Sequence, residues 1–235
     1  MSESAEVLGF CPERLCDGTG WLLDEEANVA RPCKCRDGRI SRVQSRRIGT
    51  GIPKRFRGVS FERKPICDID SEVLREIRRF VRTIDENVDK GHGLWFYGDV
   101  GTGKTSLAML VSKAALEAGR SVAIYSVPHL LADIKETYDD DSPRSYADLF
   151  RRLCEVDLLH LDDLGAEKPT EWVLEQLYSI VNERWQNERS IVVTSNPRPD
   201  ELRSQIGRRT VSRLQEIAEI QIPMMGTDLR TGESP

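Results

Sequence analysis

Residues 98–105 form the stretch Gly98-Asp99-Val100-Gly101-Thr102-Gly103-Lys104-Thr105, which follows the pattern G-x-x-x-x-G-K-[ST]. Its glycines allow the backbone to turn tightly, so that its N–H groups can surround a phosphate. Lys104 supplies a positive charge for the phosphates of a nucleotide, and the hydroxyl of Thr105 is suited to Mg²⁺. The stretch therefore predicts a phosphate-binding loop, or P-loop. A glycine-rich turn before an ordinary helix is the alternative.

The residues on either side of this loop favour the P-loop interpretation. Residues 94–97 are a short apolar run of the kind that forms a buried parallel strand. Apolar residues then recur at helical spacing after the loop, at Leu107, Ala108, Leu110, Val111 and Ala114. A helix that begins at the loop adds its positive N-terminal dipole to the site.

Strands and helices alternate along the rest of the chain, which predicts a parallel sheet covered on both faces. Further strands are expected at residues 121–125, 156–161, 191–196 and 217–222, and helices at 70–90, 128–138, 170–185 and around 207–214. A stripe on the helix at 170–185, which includes Trp172 and Trp185, is expected to lie in the core. Only 13 residues follow Ile222, too few for a helical lid over a nucleotide.

The strand predicted at residues 156–161 is followed by Asp162 and Asp163. A carboxylate at the carboxyl end of an apolar strand, downstream of a P-loop, is the Walker B pattern, in which Asp162 would hold Mg²⁺. Asp163 occupies the position of the residue that orients the attacking water. P-loop ATPases of this type usually carry Glu there, so the shorter Asp predicts slow hydrolysis or help from Glu167. The two carboxylates could instead only cap the following turn.

Asn196 and two arginines are further candidates for the same site. Asn196 ends the strand predicted at residues 191–196 and can lie beside the γ-phosphate if that strand lies between the P-loop and Walker B strands. The alternative is that Asn196 only starts the turn that follows. Arg213 is the first candidate, and Arg209 the second, for an arginine that neutralises transition-state charge, often from a neighbouring subunit. Ordinary surface arginines are the alternative.

Four of the six cysteines lie near the N-terminus, at Cys11, Cys16, Cys33 and Cys35. Thiols stay reduced in the cytosol, so this C-x4-C and C-x-C quartet predicts a tetrahedral structural Zn²⁺ site rather than disulfides. Zinc would supply folding energy to a segment too short for a core of its own. Free or redox-active cysteines are the alternative.

The net charge of −5 is unevenly distributed along the chain. Residues 36–64 contain ten basic residues and only two acidic ones. Such a run predicts a basic tether that neutralises nucleic-acid phosphates, with a solvated linker that binds nothing as the alternative. The expected organisation is a zinc-binding segment at 1–37, a basic linker at 38–69 and one main domain, an ATPase, at 70–235.

No apolar run approaches the roughly 20 residues needed to span a bilayer, and the first residues do not resemble a signal peptide. We therefore expect no membrane partner and a cytoplasmic location.

Together the motifs resemble those of the AAA+ ATPases of the DnaC/DnaI helicase-loader and IstB group. The matching stretches are residues 98–105, 158–167, 194–196 and 207–214, and the resemblance covers about residues 50–235. It implies a P-loop NTPase fold of the AAA+ type, a three-layer α/β sandwich with a five-stranded parallel sheet and no C-terminal lid. The cysteine segment is similar to the zinc-binding N-terminal parts of some loaders, although those commonly use C-x-x-C.

The resemblance also implies ATP with Mg²⁺, self-association that offers an arginine in trans, contact with single-stranded DNA and a hexameric replicative helicase as partner. The resemblance assigns roles by position: Lys104 and Thr105 would bind phosphate and Mg²⁺, and Asp162 would hold the metal ion. Asp163 would orient the attacking water, and Asn196 would sense the γ-phosphate. Arg213 would act as the arginine finger, and Arg230 would have a second sensing role. The leading expectation is a DNA-replication ATPase that loads a replicative helicase onto single-stranded DNA. The alternatives are an IstB-like transposition helper, a small-molecule kinase and a module that binds ATP with little turnover.

Overall fold

The computed structural model describes residues 15–16, 21–24, 29–33, 51–139 and 145–231. In the cysteine-rich segment, β1 (Trp21–Asp24) and β2 (Val29–Pro32) form an antiparallel hairpin. Cys33 follows this hairpin, is buried and packs against Cys16 and Leu22. Cys11 and Cys35 lie outside the described residues. Within the described ranges no three side chains are grouped to hold a metal, so the Zn²⁺ site stays a prediction.

Five parallel strands form the main sheet, which confirms the predicted α/β fold. They are β3 (Leu94–Gly98), β4 (Val122–Ser126), β5 (Leu158–Leu164), β6 (Ser190–Ser195) and β7 (Ile220–Met224). Their order across the sheet is β4-β5-β6-β3-β7. The strand that carries the P-loop and the strand that carries Asp162 therefore flank β6, as predicted.

Most helices of the described chain lie close to the predicted positions, whereas the short helix at Pro199–Gln205 was not predicted. They are α1 (Ser71–Arg82), α2 (Ile84–Asp89), α3 (Lys104–Glu117), α4 (Val127–Glu136), α5 (Tyr146–Glu155), α6 (Glu171–Gln186), α7 (Pro199–Gln205) and α8 (Arg208–Ile217). The Asp70 side chain caps α1 by accepting hydrogen bonds from the backbone N–H groups of Glu72 and Val73. The helix predicted at 70–90 is interrupted at Thr83, and Ile217 ends α8 instead of starting the last strand.

Two apolar clusters cover the two faces of the sheet, and the side chains of β3 alternate between them. Trp95 packs with residues of α4 to α8 on one face, whereas Leu94 and Phe96 pack with residues of α1 to α3 on the other. The chain therefore forms the three layers that a doubly covered parallel sheet requires. None of the described helices is both long and apolar enough to cross a membrane.

Residues 51–69, called here the upstream segment, pack against the face covered by α1 to α3. Ile66 is fully buried, and Phe56 and Phe61 contact the same apolar cluster. The ammonium group of Lys113 on α3 donates to the carbonyl oxygen of Val59 at 3.1 Å. This part of the predicted linker is thus attached to the domain, because the apolar residues between its charges are buried or half-buried against the core.

Arg184 of α6 is fully buried and joins three neighbouring elements. Its guanidinium donates hydrogen bonds of 2.6 to 3.3 Å to backbone carbonyl oxygens at the end of α5 and the starts of β5 and β6, namely those of Leu153, Cys154, Val156, Asp157 and Ser190. Because these carbonyl groups are sheltered from water, the arginine satisfies acceptors that would otherwise be unpaired.

Candidate nucleotide-binding site

The P-loop connects the end of β3 to the start of α3. Gly98 and Gly101 have φ values of 128° and 81°, in the region that favours glycine. A Cβ atom at Gly98 would collide with the carbonyl group of Met224, and one at Gly101 would collide with the carboxyl group of Asp228. Both positions therefore require glycine for the backbone conformation and for the close approach of the C-terminal residues.

Lys104 lies at the base of this loop and is largely buried. Its Nζ donates to the carbonyl oxygens of Gly98 at 2.8 Å and Asp99 at 2.5 Å. Burial lowers the pKa of Lys104, while the nearby carboxylates of Asp99, Asp163 and Asp162 oppose that change. An ammonium group has three N–H donors, and two are used by these carbonyl groups. The third can bind a phosphate oxygen.

Asp162 receives two hydroxyl groups on one carboxylate oxygen. Thr105 Oγ1 donates to Asp162 Oδ1 at 3.0 Å, and Thr194 Oγ1 donates to the same oxygen at 2.7 Å. Burial would raise the pKa of Asp162, but interactions with His160, Thr194 and Thr105 outweigh it and hold the pKa below its usual range. The group is therefore ionised at neutral pH. Carboxylate and hydroxyl oxygens at this position fit Mg²⁺, which prefers hard oxygen ligands.

Asp163 has a left-handed backbone, with φ of 62°, at a register shift between β5 and β6. Its N–H donates to Thr194 Oγ1 at 2.8 Å. Asp and Asn adopt this conformation more readily than most other side chains, which gives a backbone reason for Asp at this position.

Glu167 lies outside the cavity, where its Oε2 accepts a hydrogen bond from Gly165 N. Burial raises the pKa of Glu167.

A cavity of about 860 Å³ brings most of the predicted site residues together. Its lining includes Val100, Gly101, Gly103, Lys104, Thr105, Asp162, Asp163, Thr194, Asn196 and Arg230. Asn196 is exposed just beyond the end of β6. The carboxyl ends of β3, β5 and β6 meet at one edge of the sheet, and this position is where parallel sheets bind ligands.

Residues 224–230, the C-terminal segment, run along the P-loop. Asp99 N donates to the carbonyl oxygen of Met224 at 3.0 Å, and Leu229 N donates to that of Gly101 at 3.0 Å. Arg230 forms hydrogen bonds and an ion pair with Asp228, which lower the pKa of that carboxyl group to about 2. The segment brings Leu229 and Arg230 into the cavity lining, a contact that the sequence did not predict for Leu229.

A family model described as IstB-like ATP binding protein matches residues 36–213. The chain belongs to this family. The replicative helicase loader DnaC of Buchnera aphidicola subsp. Schizaphis graminum is 26% identical to this IstB-like protein over 192 residues, which are 81% of this chain and 77% of the relative. DnaC of Escherichia coli K12 is 27% identical over 181 residues, with 77% and 72% covered. The crystal structure of the DnaC helicase loader matches with a TM-score of 0.63 and 26% identity, covering 73% of this chain and 99% of that one.

Arg213 of this IstB-like protein lies outside the cavity of its own chain. The guanidinium carbon is 4.8 Å from the ring centroid of Tyr178 and 4.9 Å from that of Trp185. Trp185 is 36% exposed, so the predicted core stripe is wrong for this residue, whereas the stripe is otherwise confirmed by the burial of Val173, Leu177, Ile180 and Val181. The residue that α8 places against this end of α6 is Arg213, whose guanidinium stacks on the indole ring of Trp185 and leaves part of the ring exposed.

His160 is another residue near the site that the sequence did not single out. It is fully buried on β5, with Nδ1 2.9 Å from Ser112 Oγ and Nε2 3.9 Å from Asp162 Oδ1. The available signal was a single histidine in an otherwise apolar strand, two residues before the Walker B carboxylate. At this distance Nε2 makes no hydrogen bond to Asp162, and it has no other hydrogen-bond partner among the described residues.

Proposed function

We propose that this protein is an ATPase that loads a replicative DNA helicase onto single-stranded DNA. The observation that carries the proposal is the single cavity that joins the P-loop, the Walker B carboxylates and Asn196 at the edge of a parallel sheet. The sequence and fold similarity to proteins named replicative helicase loader DnaC supports the choice of helicase loading among the uses of such a cavity.

In this proposal the cavity binds ATP, with its phosphates held by the backbone N–H groups of the P-loop and by Lys104. Thr105 and Asp162 would hold Mg²⁺, which neutralises charge on the β- and γ-phosphates when it is bound. Asp163 accepts a hydrogen bond from the attacking water and orients it, and Asn196 contacts the γ-phosphate. Thr194 fixes this arrangement, because its hydroxyl bonds both Asp162 Oδ1 and Asp163 N.

The arginine that completes the site comes, in this proposal, from a second copy of the chain. Arg213 is outside the cavity of its own subunit, which is the position required of a residue that acts in trans. ATP binding would then favour self-association, and hydrolysis would release the assembly from helicase and DNA.

The N-terminal segment is proposed to bind Zn²⁺ through Cys11, Cys16, Cys33 and Cys35. The packing of Cys16 against Cys33 beside the β1–β2 hairpin supports this assignment, since these two residues are far apart in sequence. A closed four-thiolate site would give the segment a stable shape for contact with a protein partner.

A second candidate function is that of an IstB-like transposition helper, because the family model that matches the chain is described by IstB. The helicase-loading function is favoured over it by the similarity to DnaC over more than three quarters of the chain.

The test combines the full-length protein, the replicative helicase of the same organism and circular single-stranded DNA. ATP-dependent loading, measured as helicase-driven displacement of an annealed strand, is expected with the wild-type chain and absent with Lys104→Ala. If wild-type protein binds ATP but neither associates with the helicase nor stimulates strand displacement, the loader function is rejected. Association with a transposase in the same assay would then favour the second candidate.

A further inference from the structure

The upstream segment forms part of the wall of the cavity that also holds the Walker B carboxylates. Arg55, Phe56, Gly58, Val59, Arg63, Lys64 and Pro65 line the same space as the P-loop. This wall is anchored, because Phe56 and Val59 contact the core and Lys113 donates to the Val59 carbonyl oxygen. A cation on this wall therefore faces the cavity from an attached backbone rather than from a free linker.

Positive charge exceeds negative charge around this cavity. The cationic residues in its lining are Arg55, Arg63, Lys64, Lys104 and Arg230, and the acidic ones are Asp162 and Asp163. Lys64 is paired with Asp68 and Arg230 with Asp228, both outside the lining. Like charges that face one cavity repel each other, so this arrangement favours a polyanionic ligand.

Arg55 and Arg63 are the two cations of the wall that are left for such a ligand. Within the described parts of the chain, neither guanidinium forms a salt bridge with a carboxylate. Arg55 lies 5.9 Å from the ring centroid of its neighbour Phe56, and Arg63 lies beside Gly58. A guanidinium group can donate two parallel N–H bonds to one phosphate.

We infer that Arg55 and Arg63 bind the phosphate groups of the nucleotide held by the P-loop. This inference rests on the nucleotide site of the proposed function and assigns Arg55 a role different from the predicted contact with DNA. Arg57 belongs to the same basic run but does not line the cavity. In the part of the basic run that the structure describes, the fold thus separates arginines that line the cavity from an arginine, Arg57, that is exposed outside it.

The consequence is a link between the nucleotide and the part of the chain that precedes the domain. Bonds from Arg55 and Arg63 to a phosphate would form only when nucleotide is bound, so they would hold the upstream segment more firmly in that state. This segment directly follows the rest of the basic run, at residues 36–50. Nucleotide binding can therefore influence how that run is presented to a partner.

The experiment measures the affinity of the full-length protein for fluorescent ATP and, separately, for an oligothymidine strand. Variants are Arg55→Ala, Arg63→Ala and the double substitution, with Arg57→Ala as the matched control from the same turn. Each single variant is expected to bind ATP about tenfold more weakly and the double variant about 100-fold more weakly, since each lost bond to a charged group weakens binding about tenfold. Arg57→Ala is expected to bind ATP like the wild type.

Three outcomes would overturn the inference. ATP affinity unchanged in the double variant, while Lys104→Ala abolishes it, rejects the inference and leaves the proposed nucleotide site standing. Weaker binding of the oligonucleotide with unchanged ATP affinity assigns the two arginines to nucleic-acid phosphates instead. If Lys104→Ala also binds ATP normally, the nucleotide site itself is rejected. Arg55→Lys and Arg63→Lys keep the charge and are expected to recover part of the affinity, which separates phosphate binding from a folding defect.

Discussion

The guanidinium of Arg213 stacks on the indole ring of Trp185, with 4.9 Å between the guanidinium carbon and the ring centroid. Tyr178 lies at a similar distance, and Trp185 Nε1 donates to Glu216 Oε2 at 2.7 Å. Arg213 Nη1 is buried and has no hydrogen-bond partner among the described residues. The two rings hold the cation on α8, outside the cavity of its own chain.

Arg213→Ala is expected to leave ATP affinity unchanged and to slow steady-state hydrolysis by a factor on the order of 100 or more, as for loss of a group that stabilises transition-state charge. The measurement is phosphate release at saturating ATP, together with a binding titration. Mixing Arg213→Ala with Lys104→Ala chains should restore part of the activity, because one mixed interface then has both an intact P-loop and an intact arginine. No recovery on mixing would argue against action in trans.

Asp163→Asn is expected to bind ATP normally and to hydrolyse it about 100-fold more slowly, because Asn cannot act as an anionic base for the attacking water. Asn tolerates the left-handed backbone of this position as well as Asp does, so the fold should be preserved. Single-turnover hydrolysis and a thermal melt check both points. Glu167→Gln is the control, and a loss of activity equal to that of Asp163→Asn would contradict the placement of Glu167 outside the cavity.

The purified protein is expected to contain about one Zn²⁺ per chain, as a closed four-thiolate site requires. Cys33→Ser and Cys16→Ser should both lose the metal, since each removes one of the four ligands. Cys67→Ser is the matched control, because Cys67 is exposed and remote in sequence from the cluster. Elemental analysis of the four proteins decides the question, and folded wild-type protein without metal would reject the zinc site.

Arg184→Ala should lower the free energy of unfolding by about 3 kcal/mol or more. The substitution leaves several buried carbonyl oxygens without a donor, and each unsatisfied group carries a penalty of about 1 to 3 kcal/mol. Denaturant unfolding measures the effect. Arg189→Ala removes a partly exposed arginine from the same region and is expected to cost less than about 1 kcal/mol. Equal losses from the two variants would contradict the structural role of Arg184.

Burial raises the pKa of the Cys154 thiol to about 12. The folded state therefore keeps this proton when the unfolded chain, with its ordinary cysteine pKa, has lost it. Stability must then fall as the pH rises above the ordinary cysteine range. The wild-type unfolding midpoint is expected to decrease more steeply with alkaline pH than that of Cys154→Ala. Parallel pH profiles for the two proteins would show that the thiol stays exposed to water.

The P-loop, the Walker B strand and the class of fold follow from the sequence alone. Each depends on a pattern within a short stretch of sequence. These patterns are the spacing of the glycines and Lys104 within one loop, and apolar runs that end in a carboxylate such as Asp162. Parallel strands also bring their carboxyl ends to one edge of a sheet, so the meeting of Lys104, Asp162 and Asn196 was predictable from the strand pattern.

The tertiary structure decided which distant residues join this site and which do not. It brings the upstream segment and residues 224–230 from opposite ends of the chain to the cavity, places His160 behind Asp162, and stacks Arg213 on Trp185 outside it. A basic residue has the same local sequence signature whether it faces a nucleotide, a nucleic acid or water. Only the packing of elements far apart in sequence distinguishes Arg55 from Arg57, because that packing sets which side chain reaches the cavity.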